Sequence, residues 1–331
     1  MSNLRKAIIG SVSILVIFAI IMSISACKTS KKEVEKVRIG MVTFPGYAPL
    51  YLAKEKNFFE NVDVDLVRIE AIGDLRAALM SGKIDIYAAT FDIFQTTEKL
   101  EPPGVGFLAI DESDGADGVV VSDKIKDIAD LKGKRVAAEP GLPPYFVLQY
   151  MLNKANLTLK DIEFKDVSSQ DAGNAFVAGK LDAAGTYEPY LSKSKDLRNG
   201  SKILVSSKDI PGLIVDLLFT SDKILKDKPQ VLKAVSDGWF KAVEYWQSHP
   251  DEAMDVMSKS FGVAKQELAE MKTRLKWMTK EDNTQLFDQK APNNAYDTFN
   301  LVGDILVKNN SNGSRVWAKD KLTPAIIQMY K

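Results

Sequence analysis

The feature that most constrains the fold is a strand–helix–strand–helix–strand pattern that the sequence carries twice. The first copy covers residues 37–89 and the second covers residues 134–184, and in each copy the first strand ends at a Pro-Gly turn. Alternating strands and helices of this kind form the half-unit of a doubly wound parallel sheet. The sequence therefore predicts two similar α/β lobes.

A short repeat supports this duplication. Gly82-Lys83-Ile84-Asp85 in the first copy matches Gly179-Lys180-Leu181-Asp182 in the second. The repeat follows the turn glycine by 36 residues in one copy (46 to 82) and by 38 residues in the other (141 to 179). Helix–glycine–strand junctions are common in α/β proteins, so chance similarity is the alternative explanation.

The two copies define the predicted domain organisation. Residues 37–117 are expected to form the first part of lobe 1, residues 118–212 lobe 2, and residues 213–331 the return into lobe 1 with C-terminal helices. Apolar residues recur three or four apart from Val231 to Trp246, which indicates the core-facing side of a helix. Residues 266–277 are predicted to form a further helix.

The first 26 residues are predicted to be an export signal rather than part of the fold. Arg5 and Lys6 precede an uncharged apolar stretch, and small residues then lead to the only cysteine, Cys27. Ile24-Ser25-Ala26-Cys27 resembles a bacterial lipobox, which implies that Cys27 carries a lipid. Residues 27–36 would then be a flexible tether. An uncleaved membrane anchor is the alternative, because the apolar stretch is close to the shortest that can span a bilayer.

The composition narrows the possible functions. There are 44 basic and 44 acidic residues, so no global basic excess exists for binding nucleic acid. A single cysteine and a single histidine leave little basis for a metal site or a histidine-based catalytic triad. We expect no cofactor and no metal, and nothing in the sequence indicates oligomerisation, so a monomer is expected.

Several segments resemble a known family of transport proteins. They are residues 44–53, 81–85, 114–118, 129–134 and 178–189. The chain resembles the substrate-binding lipoproteins of ABC importers, in the family with receptors for nitrate, taurine, alkanesulfonates and thiamine-pyrimidine precursors. The resemblance implies a type II periplasmic-binding-protein-like clamp with a cleft between parallel-sheet lobes. It also implies lipid-anchored placement on the extracytoplasmic face of the cell membrane, which is periplasmic in a host with an outer membrane. A permease and its ATPase subunit are the implied partners.

The loops expected at the cleft are rich in acidic and aromatic residues. Loops 43–49, 89–92, 111–118, 139–145 and 185–190 contain seven acidic residues and no Lys or Arg. An acid beside a bound anion costs affinity, whereas a carboxylate and an aromatic face suit a cation or a flat nitrogen heterocycle. We therefore favour an amine or a planar heterocycle, such as a thiamine-pyrimidine precursor, as the solute. A sulfonate, taurine or nitrate receptor is the alternative.

Nine residues are predicted to contact this solute. Eight lie in the cleft loops and one in the return crossing, namely Phe44, Tyr47, Thr90, Asp92, Asp114, Tyr145, Tyr187, Glu188 and Asp216.

Each of these residues has a structural alternative. Asp92 could be a helix N-cap, and Glu188 a hinge or permease-docking residue. Asp114 and the nearby Asp117 could be solvated turn residues, and Asp216 could satisfy backbone donors at a hinge. The aromatic residues could belong to the core.

An enzyme and a surface sensor are the two alternatives to an import function. The family resemblance extends to enzymes that make the thiamine pyrimidine, but no cleft loop here contains a histidine, so we expect no enzyme. A surface sensor that does not transport needs the same binding and closure, and the sequence does not distinguish it from an importer.

Overall fold

The computed structural model describes residues 34–96, 104–308 and 316–330. Residues 36–331 form one compact unit, and the fold below is that of this unit. The predicted signal segment, Cys27 and most of the predicted tether lie outside the described residues. Among the residues that are described, no helix combines the length and the apolarity needed to cross a bilayer.

Eleven strands form two separate sheets in the described chain. The six-stranded sheet has the order β11-β4-β10-β3-β1-β2, with β1 Glu35–Met41, β2 Val62–Arg68, β3 Ile86–Thr90, β4 Val105–Ser113, β10 Val215–Thr220 and β11 Leu275–Trp277. The five-stranded sheet has the order β7-β6-β8-β5-β9, with β5 Asp117–Val121, β6 Arg135–Ala138, β7 Glu163–Asp166, β8 Ala183–Tyr187 and β9 Lys202–Ser206.

Helices connect and cover these sheets. Those up to the second crossing are α1 Ala48–Glu55, α2 Ile72–Met80, α3 Phe91–Gln95, α4 Pro143–Lys154, α5 Ser169–Val177 and α6 Tyr190–Leu197. The later ones are α7 Asp222–Asp227, α8 Pro229–Ser248, α9 Pro250–Met257, α10 Lys265–Met271, α11 Lys280–Leu286, α12 Ala295–Lys308, α13 Ala318–Lys321 and α14 Ala325–Gln328. A short 3-10 helix, Pro45–Tyr47, precedes α1, and a π-helical turn, Ser258–Gly262, follows α9.

Both sheets are mixed rather than parallel throughout. The predicted β-α-β units give parallel pairs, β1 with β3 and β6 with both β7 and β8. Strand β10 runs antiparallel between β3 and β4, and β5 runs antiparallel between β8 and β9. The antiparallel strands β5 and β10 directly follow the two points at which the chain passes between the sheets. The simple β-α-β repeat does not contain these strands.

The repeated sequence has the same structure in both sheets. Asp85 accepts hydrogen bonds from the backbone nitrogen and the guanidinium of Arg38, at 2.9–3.0 Å. Asp182 accepts the corresponding three bonds from Arg135, at 3.0–3.1 Å. In both cases the aspartate lies 47 residues after its arginine. The two copies therefore share a strand-pairing junction as well as a sequence pattern.

The C-terminal region packs largely as the apolar spacing predicts, with one correction. Trp239 and Trp246 on α8 are buried in the main hydrophobic core. The predicted helix over 266–277 was wrong in its second half, because α10 ends at Met271 and residues 275–277 form β11 beside β4. Pairing with an open sheet edge decides this segment, and three residues are too few to carry a clear strand period.

Candidate functional site

A cavity of about 470 Å³ opens where the ends of strands from both sheets meet. The six-stranded sheet contributes the segment after β1, the segment after β2, the end of β3 and the start of the antiparallel strand β10. The five-stranded sheet contributes the start of β5, the segment after β6 and the end of β8. This is the position that the carboxyl ends of parallel strands favour for ligands in α/β proteins.

Aromatic side chains form part of the cavity wall. Phe44 and Tyr47 contact each other edge to face, with ring centroids 5.4 Å apart, and Tyr187 lies across the cavity from the other sheet. Burial, followed by the neighbouring Tyr190 and the carboxylates of Glu139, Asp117 and Glu70, raises the pKa of Tyr187 to about 12. Tyr187 is therefore a neutral hydroxyl at physiological pH, able to contact a ring or to donate a hydrogen bond.

Four carboxyl groups line the same cavity, namely Glu70, Asp117, Glu139 and Asp216. All four already accept a hydrogen bond, Asp216 from the Tyr47 hydroxyl. Glu70 accepts from the backbone and hydroxyl of Thr43, Glu139 accepts from the backbone nitrogen of Ser169, and Asp117 accepts from the Ser113 hydroxyl. These bonds fix the carboxyl groups in place without neutralising them.

The two buried aspartates of the wall have unusual acidity. Asp216 accepts a hydrogen bond of 2.5 Å from the Tyr47 hydroxyl and is 3% exposed. Burial raises the pKa of Asp216 to about 7 and that of Asp117 to about 7. Neighbouring carboxylates add to both effects, including Asp92 in each case. Burial and mutual repulsion destabilise the ionised forms of these two aspartates. A cation bound in the cavity would stabilise those ionised forms, and this electrostatic gain would add to its affinity.

One positively charged side chain lines the cavity from a helix, outside the five loops predicted to form the cleft. Arg76 on α2 lines the wall, and its guanidinium donates to the carbonyls of Thr96 and Ile93 at the end of α3. Among residues 34–96, 104–308 and 316–330, no carboxylate forms an ion pair with Arg76. Its positive charge is therefore available to an anionic group of a bound solute.

The predicted contact residues separate into two groups. Five line the cavity, namely Phe44, Tyr47, Thr90, Tyr187 and Asp216, and four do not, namely Asp92, Asp114, Tyr145 and Glu188.

The four residues outside the wall have other surroundings. Asp92 is buried in the first turn of α3, where Thr90 rather than Asp92 is the N-cap. Asp114 is exposed, and the half-buried ring of Tyr145 packs on Phe164. Glu188 is 4% exposed and forms an ion pair with Arg274.

Four charged wall residues are not among the nine predicted contacts, namely Glu70, Arg76, Asp117 and Glu139. Glu70 follows β2, and applying the strand-end rule to that strand as well would have found it. Asp117 begins β5, whereas Asp114 lies in the preceding turn, so the two aspartates of this loop have opposite exposure. Arg76 comes from the body of a helix, for which the sequence carries no signal of cavity exposure.

A family model described as "NMT1/THI5 like" matches residues 44–253, more than half of the chain. The chain belongs to the NMT1/THI5-like family.

Relatives of this NMT1/THI5-like chain include proteins named for sulfonate binding. A Bacillus subtilis protein assigned to aliphatic sulfonate binding is 27% identical over 262 residues, covering 74% of this chain and 77% of the relative. The crystal structure of the periplasmic aliphatic sulphonate binding protein SsuA from Escherichia coli matches with a TM-score of 0.72 at 20% identity, covering 87% of this chain and 92% of SsuA. The predicted α/β clamp of periplasmic-binding-protein type is thereby confirmed, with mixed sheets.

The same fold also occurs in an enzyme. The desulfurization enzyme DSZB matches this NMT1/THI5-like chain with a TM-score of 0.60 at 16% identity, covering 88% of this chain and 98% of DSZB. Fold alone therefore does not separate binding from catalysis, and the residues of the cavity wall are what distinguish the two functions.

Proposed function

We propose that the protein is the solute-binding component of an ABC importer, and that its favoured solute is an amine or a planar nitrogen heterocycle such as a thiamine-pyrimidine precursor. The observation that carries the proposal is the pair of buried aspartates in the wall, Asp117 and Asp216, beside the rings of Tyr47 and Tyr187. A ring would stack on the aromatic side, and an N–H group or positive charge would pair with a carboxylate.

Charge balance supports this choice of solute. Four carboxyl groups and one guanidinium line the cavity, so the wall is acidic even after Arg76 is counted. An amine or heterocycle would bind nearest Asp216, where Tyr47 and burial fix the geometry. Leaving buried carboxyl groups without a partner is costly, which would make selection for a donor-bearing solute sharp.

A sulfonate, taurine or nitrate receptor is the second candidate. Arg76 favours it, because a guanidinium without a carboxylate partner is suited to an anionic headgroup. The sulfonate-binding relatives favour it as well. In this case the acidic groups would have to be protonated or lie away from the headgroup.

Binding rather than catalysis is proposed for the cavity. The described residues that line it include no histidine, cysteine or lysine, and the wall hydroxyls of Thr43 and Tyr47 donate to Glu70 and Asp216 and hold those carboxyl groups in place. Delivery to a permease with its ATPase subunit, lipid anchoring through Cys27, an extracytoplasmic position and a monomeric state complete the proposal.

Thermal-shift screening of the purified full chain tests the solute class. Matched panels of primary amines, aminopyrimidines and alkanesulfonates are compared at pH 7.5. We expect stabilisation by members of the first two panels and loss of that stabilisation in Asp216→Asn. Stabilisation by alkanesulfonates alone, abolished by Arg76→Gln, would establish the second candidate instead.

A further inference from the structure

A second carboxyl group lies directly behind Asp216, outside the cavity wall. The antiparallel register of β10 and β4 pairs Asp216 with Asp111, so both side chains project from the same face of the sheet. On the other edge of β10, Asp216 is paired with Thr90. Pairing across three strands therefore builds a row of polar residues that ends at the cavity.

The carboxyl group of Asp111 is completely buried. It is 0% exposed, and no N–H or O–H of the described residues donates to either of its carboxyl oxygens. A Cβ atom on Gly46 would lie 2.7 Å from its Oδ2, so the backbone of the loop after β1 closes over this carboxyl. The group in a position to satisfy Asp111 is the carboxyl of Asp216, which requires a hydrogen between them.

The charged and titratable groups around the pair are almost all acidic. Tyr47 faces Asp216 from the loop after β1, Asp117 faces both carboxyls from β5, and Asp92 faces Asp216 from α3. Glu112 adds negative charge from β4 beside Asp111, whereas β11 presents the uncharged Trp277. Arg76 lies elsewhere in the cavity wall, with its guanidinium on the carbonyls of Ile93 and Thr96.

Two carboxylates this close in a buried site cannot both be ionised without a large electrostatic penalty. We propose that Asp111 and Asp216 share one proton in the ligand-free protein at neutral pH, and that a positively charged solute in the cavity displaces it. The proposal rests on the proposed function for the charge of its solute. It makes Asp111 a positioning residue that sets the charge of Asp216 without contacting the solute.

The direction of the pH effect follows from linkage. Acid favours the protonated pair and opposes a cation, so capture of a cation weakens as the medium becomes more acidic. Burial is the largest cause that raises the pKa of Asp111 well above its ordinary range, and the charge of Asp216 adds to it. The pair therefore titrates as a unit rather than as two independent aspartates.

The first experiment measures the proton in the full chain without solute. Carboxyl carbons of ¹³C-labelled aspartate are followed by NMR from pH 4 to 9, with the pair assigned through Asp111→Asn and Asp216→Asn. We expect one carboxyl of the pair to stay protonated at pH 7. Complete ionisation of both carboxyls at pH 7 would overturn the proposal.

Two further samples protect this measurement against misfolded variants. Tyr47→Phe removes the hydrogen bond that stabilises charged Asp216, so the proton should be retained to higher pH than in the wild type. An infrared band of a protonated carboxyl must be present in the wild-type chain at pH 7 if the pair holds a proton, and because Asp117 contributes to the same band, its absence is the decisive result. Absence of that band would contradict the shared proton.

The second experiment measures displacement with defined probes. Calorimetry at several pH values uses benzylamine as a cation and ethanesulfonate as an anion. Below the pH at which the pair ionises, we expect the Kd of benzylamine to weaken by about tenfold per pH unit, which corresponds to one displaced proton. Asp111→Asn offers an amide donor in place of the proton and should remove most of this dependence, and ethanesulfonate should show no weakening in acid.

The outcomes separate this inference from the proposed function. Benzylamine binding that is independent of pH, with an ionised pair, would overturn the inference and leave an amine-binding importer intact. A shared proton with no benzylamine binding at any pH would refute displacement and the cationic solute together.

Discussion

Asp92 is a buried carboxyl whose ionisation lowers the stability of the folded chain. It is 2% exposed, and its Oδ1 receives no hydrogen bond from the described residues. Burial raises its pKa to about 6, against the lowering effect of the Thr90 hydroxyl and of backbone donors in the first turn of α3. The folded protein therefore holds a proton on Asp92 that the unfolded chain loses near pH 4.

The pH dependence of stability should change in Asp92→Asn. The pKa of Asp92 is higher in the folded chain than in the unfolded chain. Its contribution to the free energy of unfolding is therefore fully present below about pH 4, and it is lost as the pH rises through 6 and the buried carboxyl ionises. The shift corresponds to an upper limit on the order of 3 kcal/mol. Urea unfolding of the wild type and the variant at pH 5 and pH 8 should show a smaller loss of stability in Asp92→Asn. The exposed control Asp114→Asn should behave like the wild type, and an equal loss in all three chains would contradict this account.

Single residues also show where prediction from sequence stops. Thr90, Tyr187 and Asp216 lie at or near strand ends, and strand ends can be located from the apolar pattern. Arg76 reaches the cavity through the path of a side chain from the middle of α2, which no spacing rule encodes. Asp111 and Asp216 meet because of antiparallel register, and register depends on tertiary partners 105 positions apart (111 to 216).

At the scale of elements, the repeated arginine–aspartate junction explains why the echo in the sequence was informative. In both copies a left-handed glycine, with φ of 69° at Gly82 and 74° at Gly179, follows the helix, and the aspartate three positions later binds an arginine of a neighbouring strand. The repeat thus records a local structural requirement. The strand β11 had no such local signal and was assigned to a helix.

Loss of one junction should destabilise the protein measurably. Asp182→Ala removes acceptors for the backbone nitrogen and the guanidinium of Arg135, and the pair is partly exposed. We expect a loss of about 1–2 kcal/mol in the free energy of unfolding. Asp196→Ala is the control, since the ion-pair partner of Asp196 among the described residues is its exposed neighbour Lys195. Equal stability of the two variants would show that the junction contributes nothing.

At the scale of the whole molecule, Arg274 connects the two sheets. It lies between α10 and β11, and therefore next to the six-stranded sheet, yet its guanidinium binds Glu188 at 3.1 Å and the Ser192 hydroxyl at 2.9 Å after β8. The same guanidinium donates to the carbonyl of Gly115, in the crossing between β4 and β5. Glu188 was predicted as a solute contact, and its place in this ion pair favours the hinge alternative.

Breaking this connection should cost more than breaking a surface pair. Arg274→Ala leaves the carboxylate of Glu188 buried without its cation, and we expect a loss of about 3 kcal/mol. Lys276→Ala is matched two residues away and removes a largely exposed partner of Asp282, so its loss should stay below about 1 kcal/mol. Denaturant titration of both variants checks the difference. Similar midpoints would argue against a buried inter-sheet ion pair.

Attachment to the membrane belongs to the whole molecule as well, through the predicted lipid on Cys27. Cys27→Ser should abolish incorporation of labelled palmitate and move the protein from the membrane fraction to the soluble fraction. The thermal unfolding midpoint of the purified chain should not change, since Cys27 precedes the compact unit of residues 36–331. Unchanged membrane association in the variant would favour an uncleaved apolar anchor.

The chain order of the strands sets the sequence of events during translation. All strands of the five-stranded sheet lie within residues 117–206, whereas the six-stranded sheet takes β10 and β11 from residues 215–220 and 275–277. A ribosome that has released the first 206 residues has therefore supplied one sheet in full and left a gap in the other, between β3 and β4. The six-stranded sheet therefore begins first and is completed last. Until β10 is synthesised, the unpaired edges of β3 and β4 that face the gap are exposed to aggregation, and they need protection such as a chaperone provides.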